Sequence, residues 1–286
     1  MPNIYSCLGI YCSLSCSLDL VVKDHDVQQP DESILIDERA DGTVWITINR
    51  PHKHNALAGN VLAALAQAVA RAGVHPQTRM LILRGAGDRF FAAGGDLLEL
   101  AKVRDAQATH VMANHARAAL DAVRDCPLPV LAYLNGDAIG GGAELAVACD
   151  MRLQAAHAQI GYVQARLAIS TVWGGGPDLC RLVGGARAMY MMARGELIDA
   201  QRALSWGLAD AVITDGHQGR DMDAFLAPML ACPPQVLRAA KAQTRAWRTN
   251  QTYERQRQIE RDQVLSTWLH EDHWDASDRF LKRVAQ

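Results

Sequence analysis

Phe91-Ala92-Ala93-Gly94-Gly95-Asp96 and, later in the chain, Gly140-Gly141-Gly142-Ala143-Glu144 are two glycine-rich turns of the same kind. Each follows an apolar, strand-like run and leads into a helix-like one. Glycine lets a backbone approach a ligand closely, and the first N–H groups of a helix have no partner inside it. Two such donors aimed at one carbonyl oxygen form an oxyanion hole, and Glu144 falls in the first turn of the helix behind the second donor. The pattern predicts an enzyme.

Outward from these turns the chain alternates strands and helices. Ser33–Arg39 and Val44–Arg50 flank Asp41-Gly42 and predict a hairpin. Asn55 is placed to cap a helix over Ala56–Ala72, where Leu57, Val61, Leu62, Leu65 and Val69 form a stripe. Met80–Arg84 predicts a buried strand, Thr109–Arg124 a helix, and Val130–Leu134 a strand after Pro127 and Pro129. A short helix over Glu144–Cys149 and strands at Met151–Ala155 and Ile160–Val163 follow. Next come a helix over Pro177–Val183 behind Gly174-Gly175-Gly176, an Asp199-capped helix Ala200–Trp206 stopped by Gly207, and a strand at Ala211–Ile213. From Pro234 the sequence has no glycine and reads as helix to the end. The fold class is α/β with a C-terminal helical region, divided as residues 31–230 and 231–286.

With 286 residues, 49% of them hydrophobic, the chain can bury a large core. Its 29 Lys and Arg balance 31 Asp and Glu, and no basic run exceeds a pair, which argues against a nucleic-acid partner. Cys126, Cys149, Cys180 and Cys232 lie in apolar surroundings and read as reduced residues of a cytoplasmic protein. No paired C-x2-C exists, and His110 and His115 do not share a helix face, so no metal is expected. Residues 1–30 hold an apolar, Ser- and Cys-rich run with no basic residue before it, and the expectation is a poorly ordered extension, not an export signal. No later segment has the roughly 20 unbroken apolar residues of a membrane span.

The residues also match a known pattern. Ile46-Thr47-Ile48-Asn49-Arg50-Pro51 with Asn55-Ala56-Leu57, the two glycine turns, Leu145, Cys149-Asp150, and the later Ala200, Ala203, Gly207-Leu208 and Val212 resemble the crotonase (enoyl-CoA hydratase/isomerase) superfamily. The resemblance runs from about residue 33 to the end and leaves the first thirty residues without a counterpart. It implies a spiral of ββα turns whose C-terminal helices pack into homotrimers or hexamers. It also implies an acyl-CoA thioester substrate, with coenzyme A entering as part of that substrate and no separate cofactor. Carried over by residue, the two amides are those of Gly95 and Gly141. Coenzyme A lies along Lys53, His54 and Ala56, and along Ala93, Gly94, Asp96 and Leu97, with Gly140 beside the second turn. Phe280 and Lys282 resemble a C-terminal pair that reaches a neighbouring subunit's coenzyme A.

One departure stands out. Hydratases of the family hold a water between two glutamates, and the second falls in a Pro-Glu step where this chain has Val163 and Gln164. An amide cannot be a general base, although it can orient a water or a carboxylate. Around Ile160–Val163 and Trp173-Gly174-Gly175 the chain resembles the ethylmalonyl-CoA decarboxylase-like subgroup. In that reading Tyr162, Gln164, Arg166 or Trp173 lines the pocket, and the missing negative charge favours a malonyl-type carboxylate. The expected function is therefore hydratase-type acyl-CoA lyase chemistry with Glu144 as acid and base. The alternatives are decarboxylation of a 2-alkylmalonyl-CoA, or an acyl-CoA-binding oligomer without turnover.

Overall fold

The fold is seen in a computed structural model that describes residues 33–216 and 219–284. The extension expected over residues 1–30 lies outside them. The hairpin forms as β1 (Ile34–Glu38) and β2 (Thr43–Ile48), antiparallel, with Ile36 opposite Ile46. After β2 a short 3-10 turn at Pro51–Lys53 leads to α1 (Gly59–Val74), which buries Val61, Leu62, Leu65 and Val69 as the stripe requires.

The start of α1 differs from expectation. Asn55 is not its cap, because its backbone is left-handed at φ 55° and its side chain points elsewhere. Its Oδ1 accepts from Arg50 N at 3.0 Å and its Nδ2 donates to Ala86 O and Phe90 O at 3.0 and 2.8 Å. The free N–H at the head of α1 is met instead by Glu99 Oε2, which accepts from Gly59 N at 2.9 Å. A cap supplied by a residue so distant in sequence leaves no local signal.

Three further turns of chain repeat one motif. β3 (Met80–Gly85) is followed by β4 (Phe90–Ala92), α2 (Leu97–Leu100) and α3 (Ala106–Asp125). β5 (Val130–Leu134) is followed by β6 (Asp137–Ile139) and α4 (Gly141–Ala148). β7 (Met151–Ala155) is followed by β8 (Gln159–Gly161), a 3-10 turn at Val163–Leu167, and the helices α5 (Gly175–Val183) and α6 (Gly185–Arg194). β9 (Leu197–Asp199), α7 (Ala200–Trp206) and β10 (Ala211–Ile213) close the series. Asp199 and Gly207 bound α7 as expected; Asp199 Oδ1 accepts from Arg202 N at 2.8 Å, and Gly207 is left-handed at φ 72°.

Among the described residues the strands form two sheets, ordered β1-β2-β3-β5-β7-β10 and β4-β6-β8-β9. Each repeat gives one strand to each sheet and then a helix, which is a spiral of ββα turns. Strands β2, β3, β5, β7 and β10 pair in parallel, and β3 and β5 are nearly or wholly buried, as strands covered on both faces must be. Arg152 on β7 is itself buried and donates from Nε to Leu208 O at 2.7 Å, and Arg152 N donates to Asp210 Oδ2 at 2.7 Å, so β7 fixes the Gly207-Leu208 turn.

The C-terminal part is α8 (Arg220–Leu230), α9 (Pro234–Arg248), α10 (Tyr253–Trp268) and α11 (Glu271–Val284). The single long helical run expected after Pro234 is thus cut in three, with Asn250 left-handed at φ 51° in the first break. α9 buries Leu237, Ala239, Lys241 and Ala246 against the spiral, whereas α10 and α11 bury no residue. Among the described residues no helix is long and apolar enough to cross a membrane.

Candidate active site

The spiral brings the two glycine turns into contact, because β4 pairs with β6 in parallel and each turn follows one of these strands. Gly94 is left-handed at φ 96°, and a Cβ there would stand 3.0 Å from Ile139 O and 3.3 Å from Gly141 N. Among the described residues neither Gly95 N–H nor Gly141 N–H donates to any atom. Both glycines also face one aromatic ring. A Cβ on Gly95 would lie 3.4 Å from Trp173 Cζ2, and one on Gly141 would collide with the six-membered edge of the same indole. Gly141 opens α4, so its N–H sits at the positive end of the helix dipole.

Glu144 lies three residues further into α4 and is 2% exposed. Its carboxylate is held by two segments that follow β8. Oε2 accepts from Trp173 N at 3.0 Å and from Gly175 N at 2.9 Å, while Oε1 accepts from Gln164 Nε2 at 3.0 Å. Burial raises the Glu144 carboxyl above the ordinary range, and the backbone N–H groups of Gly175 and Trp173 oppose that rise without cancelling it. Gln164 Oε1 is buried with no partner among the described residues. The site thus offers a buried carboxylate with a raised proton affinity beside a neutral amide carrying one vacant acceptor.

The two segments expected along coenzyme A are laced together. Ala93 N donates to His54 O at 3.1 Å and Leu57 N to Gly94 O at 2.8 Å. Lys53 and Leu97 are exposed, His54 stacks on Phe90 at 4.6 Å between ring centroids, and Ala56 O accepts from Arg50 Nη1 at 2.8 Å. A cavity of about 290 Å³ opens beside these residues, with Leu57, Leu62, Asp96, Leu100, Met112 and Trp173 in its wall. A larger cavity of about 520 Å³ lies at the other end of α4, under α9, and has none of the glycine turns or Glu144 in its lining.

Several expected site residues are bound up elsewhere. Tyr162 is fully buried and its hydroxyl donates to Gly175 O at 3.0 Å, so it supports the wall instead of lining the pocket. Asp96 caps α2 by accepting from Leu98 N at 3.1 Å and pairs with Arg50 at 3.1 Å. Burial would raise its carboxyl, but the Arg50 guanidinium and the Leu98 N–H hold it below the usual range. Gly140 turns the chain at φ 57° and donates to Gly161 O at 2.9 Å. Arg166 is exposed, with its stem against Gly195. Phe280 and Lys282 are exposed on α11. Among the described residues no group of three or more His, Cys, Asp and Glu is placed to hold a metal ion.

The sequence reading missed the backbone of Val172–Gly175, whose amides seize Glu144. Its signal is the glycine run beside Trp173, which the sequence reading connects with a pocket wall and a helix start but not with a bond to Glu144.

The ββα spiral, with its two glycine turns in contact and Glu144 buried beside them, defines a class of fold that known proteins share. The family model described as enoyl-CoA hydratase/isomerase matches residues 38–285. The methylglutaconyl-CoA hydratase of Rattus norvegicus mitochondria is 34% identical over 64% of this chain, which spans 58% of that relative's length. The ethylmalonyl-CoA decarboxylase of Xenopus laevis is 29% identical over 84% of this chain and 82% of its own. The crystal structure of an enoyl-CoA hydratase from Bacillus anthracis superposes with a TM-score of 0.81 at 29% identity, covering 88% of this chain and 97% of that one. The chain belongs to the enoyl-CoA hydratase/isomerase family of the crotonase superfamily.

Proposed function

We propose that this protein is an acyl-CoA lyase of the enoyl-CoA hydratase type, with Gly95 and Gly141 as the oxyanion hole and Glu144 as the proton-transfer group. The observation that carries the reading is the placement of Glu144, buried, raised in proton affinity and one helical turn behind Gly141. In this scheme the water oxygen bonds to Cβ of the enoyl thioester and its proton passes to Glu144. The electron pair of the C=C bond moves onto the thioester oxygen, where the two N–H groups meet the developing charge. Glu144 then returns a proton to Cα. Donors fixed before the charge appears need no reorganisation, which is why one such donor is typically worth ~10²–10³ in rate. Gln164 orients the water through its vacant Oε1, taking the place of a second glutamate.

Decarboxylation of a 2-alkylmalonyl-CoA is the second reading, and Gln164 is the observation that favours it. There the carboxylate's C–C bond breaks, CO₂ leaves, and the electron pair enters the same enolate, so no base is required. An amide at residue 164 places no negative charge against the leaving carboxylate. The relative named ethylmalonyl-CoA decarboxylase supports this reading as well.

Incubation with crotonyl-CoA and with ethylmalonyl-CoA separates the two. Hydration of crotonyl-CoA without CO₂ release from ethylmalonyl-CoA is the expected outcome. CO₂ release without hydration replaces the first reading by the second. Binding of both thioesters with no product from either leaves the acyl-CoA-binding oligomer.

A further inference from the structure

We propose that Arg124 is a positioning residue for Glu144, holding the Trp173 carbonyl so that the N–H groups of Trp173 and Gly175 stay on Glu144 Oε2. The proposal rests on the reading above that Glu144 moves a proton.

Residues 172–175 form a strap that is hydrogen-bonded on both sides. On one side, Trp173 N and Gly175 N donate to Glu144. On the other, Val172 O accepts from Arg117 Nε at 2.8 Å, Trp173 O from Arg124 Nη2 at 3.3 Å, and Gly175 O from Tyr162 at 3.0 Å. A peptide plane is rigid, so Arg117 on Val172 O orients the Trp173 N–H directly, while Arg124 on Trp173 O fixes the next plane, which joins Trp173 to Gly174 and lies between the two donating N–H groups. Gly174, left-handed at φ 91°, lets the guanidinium come close, since a Cβ there would stand 3.0 Å from Arg124 Nη2.

Arg124 is fixed in its turn. Its Nε donates to Asp178 Oδ2 at 2.8 Å and its Nη1 to Asp121 Oδ1 at 2.7 Å. Asp178 is 4% exposed and takes Arg248 of α9 on its other oxygen, at 3.1 Å from Nε. The same Arg248 donates to Val147 O at 2.6 Å and Ala148 O at 2.7 Å, the last carbonyls of α4. Both ends of α4, the one bearing Glu144 and the one bearing those carbonyls, are therefore tied to one Asp178-centred cluster. Around Glu144 the titratable neighbour is Tyr162, and the charges of Arg124 and Asp178 lie behind the strap. The two strap N–H groups lower the Glu144 pKa, so loosening the strap moves it further up.

The test uses the full chain as wild type, R124K, R117Q and E144Q, assayed on whichever thioester the wild type converts. Lysine at 124 keeps a charge for Asp178 but loses the planar fork, and Arg117 is exposed, so neither change threatens the fold. R124K and R117Q are expected to lower kcat roughly tenfold or more with KM within about twofold. Their acid limb should move to higher pH, and amide exchange in the peptide covering 172–175 should quicken. Unchanged exchange, or a fall in kcat equal at every pH, would mean that Arg124 only braces α3 against α5, and the proposal fails. Near-normal turnover by E144Q removes the proton-transfer reading instead. Faster exchange in R124K would then show a held strap with no part in catalysis, which also overturns the positioning role.

Discussion

Glu144 is the residue on which the proposed chemistry turns, and its environment sets two expectations. E144Q should lose at least roughly 10² in kcat on the converted thioester while binding it with little change, because the amide keeps the shape but moves no proton; steady-state kinetics and calorimetric titration check this. The second concerns stability. The folded-state pKa of Glu144 is raised by burial, so the fold favours the neutral acid, and this contribution is present below the unfolded-state pKa and lost as pH rises through the folded one. Replacing the carboxylate should then help most in alkali: the melting temperature of E144Q minus that of wild type should grow from pH 5 to pH 8. A difference that shrinks over that range contradicts the raised pKa.

Among the elements, α4 owes its position to missing side chains. A methyl on Gly142 would collide with Ala92 O of β4, and the neighbour is backbone, so it cannot step aside. Gly185, at the head of α6, has nothing within 4 Å of the same position and an ordinary φ. G142A should therefore cost about 1–3 kcal/mol in chemical unfolding, whereas G185A should be neutral or stabilise by about 0.4–1 kcal/mol. Equal effects from the two would mean that close packing of α4 on β4 does not explain the glycine run. This is also where legibility in sequence divides. The stripe of α1, the hairpin at Asp41-Gly42 and the Asp199 cap could be read because their partners are local or periodic. Asn55, Glu99 and Arg124 could not, since each bonds to backbone brought near only by the spiral. β6 is three residues long and too short to show a period, whereas α6 carries one, with Ala188 and Met191 on its buried face, behind a start on two glycines that hides it. Gln164 was readable as a departure from the family pattern, yet its hydrogen bond to Glu144 depends on the 3-10 turn at Val163–Leu167.

At the scale of the whole molecule, α9 and the two helices after it behave differently. Lys241 is 3% exposed and pairs with both oxygens of Asp150 at 2.7 and 2.6 Å, fastening α9 to the end of α4. K241M leaves that carboxylate without its buried partner and should destabilise the chain by about 3–5 kcal/mol in denaturant titration. α10 and α11, by contrast, expose Leu265, Trp268, Leu269, Phe280 and Leu281. An apolar surface of that kind marks an association face, and we infer a homotrimer or a pair of trimers. Light scattering should give three or six times the 31.2 kDa chain mass, and L265E with L269E should shift it towards one. A wild-type protein that stays at one chain mass at working concentration would sink that inference.

Arg248 sits well past the last strand, so translation delivers it late. A polypeptide ended by a premature stop before that codon would still display both glycine turns and Glu144, and a motif search would score it as intact. It would nonetheless lack the hand that closes on Asp178 and on the tail of α4 together. For gene products of this type, a frameshift near the 3′ end should be weighed as damage to the reacting centre, however remote it looks on a linear map.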